Sequence, residues 1–154
     1  MNKINFITSN KGKITSLENT LKLHNIEALV VSQNLDIMEP QFDSVQEVSK
    51  FKALKAFDIV KEPVLVEDGG FSVKALNGFP GVYTKYVLKT LGADGILKLM
   101  HGIQDRTAKF ISVATFINSD GIVFQFEREG GEFEISEKKI DFSTSLCYPI
   151  YIQG

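Results

Sequence analysis

Residues 3–25, KINFITSNKGKITSLENTLKLHN, contain the signals of a strand, a loop and a helix in succession. Lys3–Thr8 is a short apolar run rich in strand-forming residues, which predicts a β-strand. The polar loop SNKGK follows, and Ile14, Leu17 and Leu21 then recur at the spacing of one helical face. A strand, a loop and a helix in this order are typical of the α/β class.

The first hundred residues continue this alternation, and the pattern then changes. We predict further strands at 26–31 and 63–67, the second ended by Gly69 and Gly70, and helices at 44–60, 83–91 and 93–100. From Thr107 onward the β-rich runs FISVATFI, IVFQFERE and EFEIS are joined by the turn signals NSDG and EGG. The sequence therefore predicts an α/β (α+β) fold, with a mixed β-sheet flanked by helices and an antiparallel meander in the C-terminal half.

The length and composition are those of one domain. A chain of 154 residues with 44% hydrophobic and 23% charged residues can bury a sizeable core. No linker, repeat or low-complexity run divides the chain, so we predict a single domain over residues 1–154.

Charge and cysteine content exclude several classes of function. A net charge of −2 argues against a surface for nucleic acid or an anionic membrane, but it leaves small anionic ligands open. Cys147 is the only cysteine, and His24 and His101 are far apart in sequence, which excludes a disulfide framework and a Cys/His zinc site. No stretch approaches the roughly 20 apolar residues of a membrane span. We therefore expect a cytoplasmic protein.

Glu67 and Asp68 lie where an apolar strand meets a pair of glycines. In open α/β proteins ligands bind at the ends of strands, so these carboxylates are candidates for a site. Adjacent strand residues point to opposite sides, which would let one carboxylate bind a metal ion while its neighbour supports it. The alternative is an ordinary turn, because Asp-Gly-Gly is common in loops.

The loop Thr8–Lys13 is a candidate phosphate site because it follows a strand and opens a helix. Its backbone N–H groups and the Lys11 and Lys13 ammoniums would bind the negatively charged phosphate. The Walker pattern is absent. The alternative is that Ser9 or Asn10 simply caps the helix and that the lysines are solvated.

Glu39 and the lysines of the predicted helix 44–60 can each be interpreted either as part of a site or as ordinary surface residues. Glu39, in MEPQFDS, is either part of a site or a surface acid beside a proline turn. Lys50, Lys52 and Lys55, on the predicted helix 44–60, are either ligands or a solvated helix face.

Together these motifs resemble the inosine triphosphate pyrophosphatases, also called non-canonical purine nucleoside triphosphate pyrophosphatases or house-cleaning nucleotidases. The N-terminal pattern T-x-N-x-x-K of that family is matched by Thr8, Asn10 and Lys13. The glutamate before the second helix is matched by Glu39, and the helix pattern E-x-S-x-x-K-A by Glu47, Ser49, Lys52 and Ala53. The pattern E-D-[ST]-G followed by A-L-x-G-x-P-G-x-Y is matched by Glu67, Asp68, Gly70, Ala75, Leu76, Gly78, Pro80, Gly81 and Tyr83.

The resemblance implies magnesium-dependent hydrolysis of a nucleoside triphosphate to a nucleoside monophosphate and pyrophosphate, in sanitation of the nucleotide pool. It implies that Glu39 and Asp68 hold the metal ion with Glu67 in support, and that Asp68 is also the general base. The triphosphate ligands that it implies are Thr8, Ser9, Asn10, Lys11, Gly12, Lys13, Lys52 and Gly69. It also implies a homodimer, to which segments such as PGVY contribute.

The chain departs from the family pattern in places that affect phosphate and base recognition. Gly69 stands where the family has serine or threonine, so a backbone N–H would replace a hydroxyl. Phe142, Pro149 and Tyr151 resemble remnants of the family's F-G-[YW]-D-P-x-F segment, with Tyr148 in place of its Asp. The family's base-reading lysine and S-H-R motif do not occur before Gly154, so base preference does not carry over. The alternative function is a catalytically weak or inactive relative that binds nucleotides or a partner.

Overall fold

A computed structural model of the chain describes residues 2–137 and 152–153. These residues fall into two compact units. Unit 1 lies within Met1–Asp68 and Val113–Glu127, and unit 2 within Gly69–Ser112 and Arg128–Gly154. The single domain expected from the sequence stays a prediction.

Strands and helices alternate in the first half of the chain, and strands follow one another in the second. The strands are β1 (Asn2–Ile7), β2 (Ala28–Gln33), β3 (Val64–Val73), β4 (Pro80–Gly81), β5 (Thr107–Ile117), β6 (Val123–Glu129), β7 (Phe133–Ile135) and β8 (Ile152–Gln153). The helices are α1 (Lys11–Leu23), α2 (Val45–Val60), α3 (Thr84–Thr90) and α4 (Gly92–Leu99), with a short 3₁₀ helix at Lys74–Leu76. Parallel and antiparallel strand pairs both occur, so the predicted α/β fold with a mixed sheet is confirmed.

Unit 1 is built on parallel strands with β1 in the middle. Strand β1 pairs in parallel with β2 on one side, where Ile4 lies opposite Val30, and with β3 on the other, where Asn5 lies opposite Val64. The core of this unit is a cluster of buried apolar side chains from β1, α2, β3 and β5, namely Ile7, Ala53, Ala56, Val64, Val66 and Ile117. Helix α2 therefore packs its small residues on β3, the strand that carries Glu67 and Asp68.

Helix α2 begins where the sequence predicts, because Ser44 caps it. The Ser44 hydroxyl accepts a hydrogen bond from the Glu47 backbone N–H at 3.2 Å and donates one to the Glu47 carboxylate at 2.8 Å. The helix ends at Lys61, which has a left-handed backbone with φ of 55°. The buried residues of α2 recur at helical spacing: Val45, Ser49, Ala53 and Ala56.

Unit 2 packs α3 and α4 on antiparallel strands. Strand β7 pairs antiparallel with β5, with Ala108 opposite Phe133, and also with β8. The buried cluster consists of Phe71, Val73, Val87, Ala93, Ile96, Met100, Ala108 and Ile135. The rings of Phe71, Phe110 and Phe133 contact one another with centroids 5.2 to 6.0 Å apart, so these phenylalanines belong to the core.

One boundary predicted from the sequence is wrong: Gly69 and Gly70 do not end β3, which continues to Val73. A Cβ atom at Gly69 would lie only 3.2 Å from the Ile111 carbonyl oxygen, which is tighter than ordinary van der Waals contact. Glycine is therefore present in the strand because a neighbouring backbone approaches closely.

Candidate active site

In the loop before α1, the side chains of Asn10 and Thr8, which the sequence predicts to bind phosphate, form hydrogen bonds with the backbone. The Asn10 side-chain oxygen caps α1 by accepting from the backbone N–H groups of Gly12 at 2.9 Å and Lys13 at 3.4 Å. The Thr8 hydroxyl accepts from the Asn10 N–H at 3.1 Å. The capping role is thus observed, and it holds in place the helix N-terminus that an anion would approach. Ser9 and Lys11 are exposed beside it.

Lys13 reaches from α1 to β3. Its ammonium donates a hydrogen bond of 2.8 Å to the backbone carbonyl of Glu67, across 54 residues of sequence. The predicted phosphate loop and the predicted acids are therefore neighbours in unit 1.

Lys52, on α2, joins two of the predicted acids. Its Nζ atom lies 2.8 Å from a carboxylate oxygen of Glu39 and 2.8 Å from one of Asp68. The side chains of Lys52 and Asp68 are only 21% and 23% exposed, whereas that of Glu39 is 49% exposed. Lys52 is therefore not part of a solvated helix face, unlike Lys50 and Lys55, which are exposed.

The electrostatics of this cluster favour the charged form of Lys52. Burial acts to lower the pKa of its ammonium, but the charges and hydrogen bonds of Asp68 and Glu39 outweigh burial. The pKa of Lys52 is consequently raised above its ordinary value of 10.5. The Lys52 ammonium therefore stays charged and bridges the two carboxylates.

Glu67 and Asp68 are consecutive in β3 and so project from opposite faces of the strand. Within residues 2–137 and 152–153, no three carboxylate, imidazole or thiol groups are grouped so that they could hold a metal ion. Two carboxylates, those of Glu39 and Asp68, do meet at one point, which Lys52 fills. Their oxygen donors are the kind that magnesium prefers, so the donor set fits, while the metal role of all three acids stays a prediction.

Gly69 is the next residue after Asp68 in sequence and belongs to unit 2, where a Cβ atom would lie 3.2 Å from the Ile111 carbonyl oxygen. The predictions for Phe142, Cys147, Tyr148, Pro149 and Tyr151 fall outside the residues that the structure describes.

Ser49 has a positioning role that the sequence did not assign. It is fully buried on α2, and its hydroxyl lies 2.8 Å from the Thr115 hydroxyl and 3.3 Å from the Val113 carbonyl oxygen. These contacts fix α2 to β5 one turn before Lys52. A serine on the otherwise apolar stripe of α2 is the signal that points to such a contact.

Comparison with known proteins identifies the family. The sequence model of the Ham1 family matches residues 4–139. The chain belongs to the Ham1 family. The resemblance inferred from the motifs is confirmed by curated relatives: the chain is 43% identical over 132 residues to a dITP/XTP pyrophosphatase of Ignicoccus hospitalis, covering 84% of this chain and 69% of that protein. It is 42% identical over 125 residues to inosine triphosphate pyrophosphatase 1 of Trypanosoma cruzi, covering 81% and 62%.

The fold is likewise that of Ham1 structures. A HAM1 protein from Coxiella burnetii superposes with a TM-score of 0.84 at 22% identity, covering 98% of this chain and 81% of that chain. A dITP/XTP pyrophosphatase from Mycobacterium abscessus gives 0.76 at 20% identity, covering 97% and 82%. The chain spans between 62% and 69% of the length of the two Ham1 relatives named above. None of the helices in the described part of the chain has the length and apolarity that a membrane crossing requires.

Proposed function

We propose that this chain hydrolyses non-canonical purine nucleoside triphosphates to a nucleoside monophosphate and pyrophosphate. The observation that carries the proposal is the convergence of Lys13, Lys52, Glu39 and Asp68 at one stretch of β3. Membership of the Ham1 family and relatives named dITP/XTP and inosine triphosphate pyrophosphatases support it. The alternative of an inactive nucleotide-binding relative draws no support from these comparisons.

Binding of the triphosphate falls to the lysines and the loop. Lys13 and Lys52 bring two ammoniums to β3, and the N-terminus of α1 adds backbone N–H groups and the positive end of its dipole. A triphosphate carries several negative charges, so these donors would hold it by charge-assisted hydrogen bonds. Gly69 would contribute its backbone N–H only.

Asp68 is the proposed general base. Asp68 is fixed on β3 beside Lys52, where its carboxylate can orient a water molecule next to the bound phosphates and accept a proton from it. It would take a proton from the water as the water oxygen bonds to the α phosphorus, while the bond from that phosphorus to the oxygen shared with the β phosphate breaks and pyrophosphate leaves. Magnesium held by Glu39 and Asp68, with Glu67 in support, would neutralise phosphate charge and lower the pKa of the attacking water.

Three finer points belong to the same proposal. We propose magnesium as the cofactor, a homodimer as the assembly and the cytoplasm as the site of action. The donor set of Glu39 and Asp68 supports the first, and the resemblance supports the first two. The third rests on the sequence, whose single cysteine fits a reducing compartment.

The test is hydrolysis of a substrate panel that contains ITP, XTP, dITP, dUTP and the common triphosphates, with pyrophosphate and orthophosphate measured separately. We expect pyrophosphate from ITP, XTP and dITP, and an Asp68→Asn variant that is slower by about 10² to 10⁴ because it lacks the base. Asp58→Asn, an exposed acid on α2 paired with Lys61, serves as the matched control and keeps wild-type rates. Orthophosphate as the product, or nucleotide binding without turnover, would contradict the proposal.

A further inference from the structure

Lys52 occupies the position between Glu39 and Asp68 that a bound cation would take. Lys52 Nζ lies within hydrogen-bonding distance of Glu39 and Asp68 at the same time, with 2.8 Å to each carboxylate. A divalent cation that contacts the same two oxygens, Glu39 Oε1 and Asp68 Oδ2, takes the place of this ammonium. The two positive charges cannot share the position, because like charges at such a distance repel strongly.

We propose that Lys52 is an internal cation that exchanges with the divalent metal ion when the triphosphate binds. The inference rests on the proposed function and concerns the order of events at the same site. In the nucleotide-free protein Lys52 pairs with both Glu39 and Asp68, and its positive charge weakens metal binding there. The triphosphate offers Lys52 a new anionic partner, so Lys52 moves to the phosphates and leaves the carboxylates to the metal ion.

The chemistry of lysine suits this exchange. Its ammonium is a compact point charge on a flexible four-carbon stem, so Nζ can move several ångströms without movement of the backbone. The backbone below it is rigid, because α2 is fixed by the buried residues Ser49, Ala53 and Ala56. The exchange therefore requires only rotations within one side chain.

A consequence is that metal and nucleotide favour each other's binding. A metal ion that binds before the triphosphate must displace Lys52, which then has no phosphate to pair with. A metal ion that binds together with the triphosphate finds the carboxylates already released by Lys52. By linkage, the triphosphate raises metal affinity by the same factor by which metal raises triphosphate affinity.

Lys13 provides a matched contrast at the same stretch of β3. It carries the same charge, but its ammonium is held by the backbone carbonyl of Glu67 and not by a carboxylate. Removal of Lys13 makes the site more negative without freeing Glu39 or Asp68. A difference between the two lysine variants therefore separates direct competition from general electrostatics.

The experiment measures Mn²⁺ binding to the nucleotide-free protein, by titration calorimetry and by the loss of the free-ion EPR signal. The variants are Lys52→Met and Lys13→Met, with the exposed Lys50→Met as a surface control two residues from Lys52 and off its face of α2. We expect Lys52→Met to bind Mn²⁺ at least about tenfold more tightly than wild type, within the roughly 5- to 150-fold range of coupled sites. Lys13→Met and Lys50→Met should remain much closer to wild type.

Thermal stability provides a second readout that does not depend on activity. Added MgCl₂ should raise the melting temperature of nucleotide-free Lys52→Met more than that of wild type, because a ligand stabilises the folded state in proportion to its affinity. Lys52→Gln is the second variant, since it retains a hydrogen-bond donor without the charge if Lys52→Met fails to fold.

The exchange is refuted if Lys52→Met and Lys52→Gln bind Mn²⁺ no more tightly than Lys13→Met. That result leaves the proposed function standing, since wild-type hydrolysis of the panel is measured separately. Conversely, tighter Mn²⁺ binding in the Lys52 variants, together with a wild-type protein that releases no pyrophosphate, would support the exchange and contradict the proposed reaction.

Discussion

Replacement of Ser49 by alanine should cost this protein more stability than the loss of one oxygen atom suggests. Ser49 and Thr115 are both fully buried, and their hydroxyls are 2.8 Å apart. Either hydroxyl can donate across this contact, and the arrangement that also uses the 3.3 Å contact to Val113 has Ser49 donating to the Val113 carbonyl and Thr115 donating to Ser49. Thr115 in turn accepts from the Gln125 side-chain amide at 2.9 Å. The result is a directed chain of hydrogen bonds that begins at Gln125 and ends at Val113.

The magnitude follows from the groups that alanine leaves unpaired. In Ser49→Ala the buried Thr115 hydroxyl loses its acceptor, which costs about 1–3 kcal/mol of the free energy of unfolding. For a chain of this length a loss of about 2 kcal/mol lowers the melting temperature by about 4–8 °C. Urea denaturation followed by circular dichroism measures the free energy directly.

The matched control is the double variant Ser49→Ala/Thr115→Val, which removes both hydroxyls together. No buried hydroxyl then lacks a partner, and Gln125 keeps the Gln46 carbonyl as an acceptor. We expect the double variant to lose less stability than the sum of the two single variants, by about 0.5–3 kcal/mol. Strict additivity, or a Ser49→Ala variant as stable as wild type, would refute the directed chain.

Two further predictions concern phosphate recognition and acid stability. Gly69→Ser restores the hydroxyl of the family pattern, whereas Gly69→Ala adds the same Cβ contact with Ile111 but no hydroxyl. A hydrogen bond to a charged phosphate is worth about 1.5–3 kcal/mol. The KM of the serine variant for ITP should therefore be at least about tenfold below that of the alanine variant. Equal KM values would mean that position 69 does not reach the phosphates. Hydrogen bonds from Lys3 and Asn5 hold the pKa of Glu62 below its ordinary value of 4.5; this stabilisation is present above pH 4.5 and is lost as the pH falls through the lowered folded-state pKa. The difference in unfolding free energy between wild type and Glu62→Gln should therefore shrink below pH 4.5, and a difference that grows on acidification would reverse the sign of the argument.

Features decided by neighbouring residues could be predicted from the sequence. The prediction of a helix at 44–60 agrees with α2 at Val45–Val60, because the Ser44 cap and the spacing of the buried residues are both local. The short helices before and after Gly92 and the strands predicted from Thr107 onward also lie close to the predicted positions, although β7 pairs with β5 and not with β6 as a meander requires. Here periodicity and turn residues agree with the tertiary structure.

Features decided by residues that are distant in sequence could not be predicted from the sequence. The glycine pair after Asp68 is a local signal for the end of a strand, but packing against Ile111 overrides it and β3 continues. The motifs nominated Glu39, Lys52 and Asp68 separately, yet nothing in their spacing indicates that one ammonium bridges both carboxylates. Such a bridge depends on how α2 packs on β3, which only the folded chain specifies.

The contact between Gly69 and Ile111 also has an evolutionary consequence. A serine or threonine at position 69 must displace a strand backbone by a few tenths of an ångström, because the Ile111 oxygen is part of the main chain and cannot rotate away. The effect of that substitution therefore depends on other changes in β5, so residue 69 and the residues around 111 are expected to have diverged together. In a chain that has glycine here and whose strands have approached, a return to a hydroxyl carries this strain until β5 moves apart again.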